Sequence, residues 1–243
     1  IHINATNIAE LIRPLSGMTV REAMRNNLQA VMRQEEQLGR PIMAHLNHPN
    51  FRYAITAEDM AAVVEERFFE VFNGHPSVQQ LGDEQHASIE RMWDIANTIR
   101  IAQMNQPPLF GVATDDAHRY FGTQGSSPGR GWVMVRADQL RTEALIAALR
   151  AGDFYASSGV TLSLVEFDGT RLNLKIDGEE GVVYTTHFIG TRRGYDSTRE
   201  AVVDANGDEL SVTGRYSDDV GKVLASVDGL HPSYTLQGDE LYV

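Results

Sequence analysis

Up to residue 159 short apolar runs alternate with longer amphipathic stretches, and beyond residue 160 the amphipathic stretches cease. This change of period constrains the fold more than any other feature of the chain. Apolar runs predict strands over 1–3, 41–46, 68–72, 109–114 and 132–135. Helical spacing predicts helices over 4–12, 19–39, 56–66, 87–103 and 142–150, the second opened by the capping pattern Thr19-Val20-Arg21-Glu22. Such alternation implies parallel strands joined by right-handed crossovers. Further on, turn dipeptides such as Asp168-Gly169 and Asn206-Gly207 separate short runs at 161–167, 172–176, 182–189, 201–203, 210–212, 223–227, 234–236 and 240–243. The expectation is an α/β unit over 1–159 followed by an all-β, sandwich-like unit over 160–243.

Charge divides the chain at nearly the same place. Residues 1–150 carry 14 Arg, no Lys and 17 acids, whereas residues 151–243 carry 7 basic and 16 acidic groups. A net charge of −12 makes nucleic acid a poor default partner. With no Cys, any metal must be held by His, Asp or Glu. No run approaches the roughly 18 apolar residues of a membrane span. The chain opens on Ile1-His2-Ile3 without Met and closes on Leu241-Tyr242-Val243. Both ends are therefore expected to be cut edges of something longer, and the compartment stays undecided.

The polar residues of the first unit gather where its strands stop. The run 109–113 ends in Thr114-Asp115-Asp116-Ala117-His118. Asp-x-His at a strand end lets one oxygen and one nitrogen converge on a divalent cation, although an Asp there can also cap the next helix. His45 and His48 follow a second strand, and Glu70, Asn73 and His75 a third. Three strands delivering ligand-type residues to one rim favour a site over chance. His75 and Arg130 fall in rim loops, Arg130 within the Gly/Ser/Pro loop 122–131, where an Arg fork suits a phosphate group.

Three of these segments resemble motifs of the PHP (polymerase and histidinol phosphatase) family. They are Ala44-His45-Leu46-Asn47-His48-Pro49-Asn50, the Glu-hydrophobic-x-Asn strand Glu70-Val71-Phe72-Asn73, and Gly111-Val112-Ala113-Thr114-Asp115-Asp116-Ala117-His118. Gly152-Asp153-Phe154-Tyr155 is similar to the end of such domains. The resemblance implies part of a distorted (β/α)7, TIM-like barrel over 1–159 that binds divalent Mn, Zn or Fe. It implies hydrolysis of a small phosphorylated substrate through metal-bound hydroxide. His48, Asp116 and His118 match the catalytic metal ligands. His45, Glu70, Asn73 and Asp115 would support them, and His75 and Arg130 would support them or meet the substrate. The family's opening His-x-His motif is absent, and His2 alone stands for a member of that missing set. A barrel left open at residue 1 would expose an edge that a second copy could pair with, giving a homo-oligomer.

Two other readings remain open. One is an amidohydrolase-type metal hydrolase, which normally uses a bridging Lys that residues 1–150 do not contain. The other is a catalytically incomplete barrel remnant whose β unit binds a glycan or protein partner.

Overall fold

A computed structural model describes residues 1–122 and 125–243. Its centre is a four-stranded sheet of β1 (Ile3–Thr6), β2 (Met43–Leu46), β3 (Phe68–Asn73) and β4 (Phe110–Thr114), in that spatial order. β2, β3 and β4 run parallel, while β1 runs antiparallel to β2 with Ile3 opposite Leu46. Helix α1 (Val20–Leu38) starts where Thr19 accepts from the Glu22 amide and stops at Gly39, which takes the left-handed φ of 60°. A 3-10 turn (Phe51–Tyr53) precedes α2 (Ala57–Ala62), which opens with a reciprocal Thr56–Asp59 capping box. α3 (Ile89–Thr98) is capped by Ser88 and runs on as a π-helical turn, Ile99–Gln103.

Successive strand residues take opposite faces. Leu46 and Phe69 pack with Met24, Leu28, Met60, Met92 and Ile95 of the three helices. On the other face Met43, Phe68 and Val112 meet Ile146 of α4 (Thr142–Ala151).

The barrel expectation is not met. Among the described residues there are four α-helices and fourteen strands in small sheets, and no sheet closes. The physical reasons lie at both ends of the central sheet. Ile3–Thr6 forms an edge strand in place of the expected helix over 4–12, and the Gln34 and Asn27 side chains hold the following segment against α1 at Ala9 and Leu15. β5 (Trp132–Val135) does not extend the parallel ladder. It pairs antiparallel with β6 (Phe154–Ser157), and the winding stops there. Neither a (β/α)7 nor a TIM-like architecture is formed. The expected loop 122–131 lies partly outside the described residues, at Thr123 and Gln124.

The remaining strands form two three-stranded sheets and a short ribbon. β7 (Leu162–Phe167), β8 (Arg171–Ile176) and β13 (Ser233–Thr235) make one sheet. β9 (Thr185–Arg192), β12 (Lys222–Asp228) and β14 (Glu240–Tyr242) make the other. The Phe188 and Tyr234 rings stack between them at 5.3 Å. β10 (Arg199–Glu200) pairs with β11 (Arg215–Tyr216). This region seats on α2 and α3: Val220 is fully buried in the main core, and the Arg91 guanidinium donates to the carbonyls of Tyr216, Ser217 and Val220.

One buried acid makes stability depend on pH. Glu66 is almost fully buried ahead of β3, where Oε1 accepts from the Arg67 and Phe68 amides and Oε2 has no partner. Burial pushes its carboxyl from 4.5 up to about 8, against the opposing pull of those amides and of Arg100. The folded chain therefore keeps a proton that the unfolded chain releases above 4.5, so this group lowers stability as pH rises from 4.5 to about 8. Urea denaturation should show a fall on the order of 5 kcal/mol across that window from Glu66 alone. Glu66→Gln should remove this component, and identical profiles for the two proteins would show the carboxyl to be ionised throughout.

Candidate functional site

The direction of β1 brings its first residues to the edge of the sheet where β2, β3 and β4 end. The Asn47 amide donates to the His2 carbonyl, and His2 Nδ1 stands 3.1 Å from His48 Nε2. At the end of β3 the ladder skips a residue between Glu70 and Phe72. In a regular strand residues three apart face opposite ways, and this bulge turns Asn73 back onto the Glu70 face. Asn73 Nδ2 then donates to Glu70 Oε2 at 2.7 Å and to Asp116 Oδ2 at 3.3 Å.

Glu70 is the buried centre of the group. Oε2 also accepts from the His48 amide at 2.7 Å, and Oε1 accepts from the Thr114 hydroxyl at 2.8 Å. His45 Nε2, buried and without a hydrogen-bond partner, sits 3.7 Å from Oε1, too far for a hydrogen bond. Burial would push the Glu70 carboxyl up, but His45, Asn73, Thr114 and the His48 amide outweigh it and hold the group below its ordinary range.

Across the rim His118 Nδ1 donates to the Asp116 carbonyl oxygen at 2.7 Å and lies 3.8 Å from Asp116 Oδ1. In the neutral ring this assignment leaves a lone pair on Nε2. The His118 amide is pinned by the Ser126 carbonyl and hydroxyl. His75 packs edge-on to His118 at 5.1 Å, with its Nδ1 accepting from the Ser77 amide. Asp115 faces away from these donors. Its carboxylate accepts from the consecutive amides of Gly129, Arg130 and Gly131 and so fixes the rim loop, while Arg130 turns its guanidinium onto the Gly125 carbonyl.

His2, His45, His48, Glu70, Asn73, Asp116, His118 and His75 thus form one connected patch, with Asp115 and Arg130 in the loop beside it. Thr114, Ser126 and Gln80, whose side chain accepts from the Asn73 amide, were not singled out from the sequence. Only Thr114 carried a signal, as the last strand residue before Asp115. The groove of about 780 Å³ lined by Val31, Met32, Met43, Phe68 and Arg150 contains none of the candidate residues.

Two backbone outliers fall on this patch. His48 has φ 23° and Asp116 φ 46°, in the region that residues with a Cβ avoid. Strained backbone persists where its surroundings over-determine it, and it is concentrated at functional sites.

Comparison with protein-family models, curated proteins and solved structures finds no match.

The donor set can be tested against a divalent cation directly. Two adjacent donors on an ion with bonds of about 2.1 Å lie roughly 3.0 Å apart at a right angle and 3.4 Å apart at the tetrahedral angle. The 3.1 Å His2–His48 separation fits that spacing, and it also fits a hydrogen bond between two neutral rings. Burial, then the neighbouring His48, then the chain's amino group hold the His2 imidazole below 6.5, in the neutral form that a metal requires. Among the described residues no three His, Asp or Glu side chains converge on one point. The donors stand as two pairs, His2–His48 and Asp116–His118, joined through Glu70 and Asn73. Nor, among the described residues, is any helix long and apolar enough to cross a membrane.

Proposed function

We propose that this chain is a divalent-metal-dependent phosphoesterase of the PHP type, working from the rim where β1 begins and β2–β4 end. The observation that carries the reading is the strained backbone at His48 and Asp116, two donor residues tied to the same buried Glu70–Asn73 pair. The motif resemblance supplies phosphate as the group acted on. A closed barrel is no part of the reading.

His2 and His48 would offer one pair of donors to an ion, and Asp116 and His118 a second pair that stands apart from the first in this structure. When bound, a divalent cation supplies positive charge that polarises the phosphoryl oxygen. Glu70 keeps His48 and Asn73 oriented and adds negative charge beneath them. Asn73 holds Asp116 Oδ2, which leaves Oδ1 facing the rim. The Asp116 carbonyl fixes the His118 tautomer, so Nε2 is the atom able to take up a proton or a ligand. Asp115 keeps the loop bearing Ser126 and Arg130 against the strand ends.

The test is equilibrium dialysis against Mn²⁺, Zn²⁺ or Fe²⁺, followed by elemental analysis and assay on p-nitrophenyl phosphate and its diester analogue. At least one bound equivalent and metal-dependent hydrolysis are expected, with both lost in His48→Ala. A protein that retains no metal and cleaves neither ester would refute the assignment.

A further inference from the structure

The loop that follows Asp116 carries a feature that the metal donors do not explain. Tyr120 is 72 % exposed and Phe121 95 % exposed. They lie two and three residues after His118, so the Tyr120 Cα is within about 7 Å of the His118 Cα. Between Ala117 and Gly131 the sequence carries no acid, and its two Arg are Arg119 and Arg130, in a protein of net charge −12. Ser126 accepts from the amides of both His118 and Arg119, which fixes the start of the loop against the rim. Exposed rings with cationic neighbours complement a ligand that is both flat and anionic.

Resting on the phosphoesterase reading, we propose that the ester's alcohol portion carries an aromatic ring. The ring stacks on Tyr120 and Phe121, while Arg119 and Arg130 draw the acidic part towards His118. An exposed Tyr-Phe pair beside arginines could also enter an anionic bilayer, but the chain's net negative charge opposes approach to such a surface. Its position beside the donors favours the small ligand.

Calorimetric titration in Mn²⁺ with phenylphosphonate and methylphosphonate tests the proposal without turnover. The parent protein should bind phenylphosphonate roughly tenfold more tightly. Tyr120→Leu combined with Phe121→Leu, which keeps apolar bulk and removes the rings, should bring the ratio close to one. Both positions are exposed, so the variant should fold normally. A parent protein with no phenyl preference overturns the proposal, as does a preference that survives the double substitution. Loss of binding to phosphatidylglycerol vesicles in the variant, with phosphonate affinities unchanged, assigns the rings to a membrane and also overturns it. A Mn²⁺ titration of the parent separates the two levels. Mn²⁺ bound without a phenyl preference removes only the aromatic assignment, whereas no Mn²⁺ and no phosphonate binding removes the phosphoesterase reading as well.

Discussion

Glu70→Ala is expected to lower stability in chemical denaturation by roughly 3–5 kcal/mol, the largest effect of any single substitution at the rim. The deletion strips an acceptor from the His48 amide, the Asn73 side chain and the Thr114 hydroxyl together. Each hydrogen bond to a charged acceptor contributes about 1.5 kcal/mol or more, and the carboxylate's volume is left empty. Glu70→Gln should recover part of the loss, because an amide oxygen can serve one pair of donors while its NH₂ faces the other. The Glu70 carboxyl sits below its ordinary 4.5 in the folded chain, so the stability it adds is present above that value and lost as pH falls through the folded one. The difference between parent and Glu70→Ala should therefore narrow in acid. A cost under about 1 kcal/mol at neutral pH would mean that the carboxylate does not anchor the rim.

Asp116→Gly should separate folding from metal binding. The left-handed backbone at φ 46° suits glycine and penalises most residues with a Cβ, while the 3.3 Å contact with Asn73 is a long hydrogen bond. Stability should stay within about 1 kcal/mol of the parent, whereas Asp116→Ala, which keeps the Cβ, should be less stable than glycine by about 1 kcal/mol. Metal affinity should fall more than about 100-fold in both, since even partners one bond removed from a metal cost 10- to 100-fold when lost. Undiminished metal content by elemental analysis would remove Asp116 from the ligands. A large loss of stability in the glycine variant would mark it instead as a packing residue.

Local features of the fold were legible in the sequence, and assembly was not. The caps at Thr19 and Thr56 and the runs that became β2, β3 and β4 are short-range signals, readable from side-chain hydrogen bonding and period. The direction of β1 is not such a signal, because four residues pair equally well either way until the chain after them commits. The partner of β5 is likewise chosen by tertiary packing. Both decisions overturned the barrel. At the rim, spacing identified Asp116, His118 and His48 as candidates, but no pattern announces a one-residue bulge before Asn73. Without that bulge Asn73 would face away from Glu70, and the donor pairs would lack the side chain that joins them. Arg130 is held by its own loop for a similar reason: Asp115 collects three successive amides, a geometry that depends on where the chain returns fifteen residues later.

The antiparallel β1 has a consequence for folding kinetics. The contacts that build the rim join residues far apart in the chain: 46 positions separate His2 from His48, 44 separate Glu70 from Thr114, and 43 separate Asn73 from Asp116. Each requires a large loop to close before it yields any stabilisation, unlike the hairpin of β7 and β8, whose strands are neighbours in sequence. The rim is thus expected to form late, after local turns and hairpins are in place. During synthesis the rim cannot be complete until β4 has left the ribosome, because the last donors follow that strand. His2, made before the other donors, must wait for Asp116 and His118 before both pairs are in place.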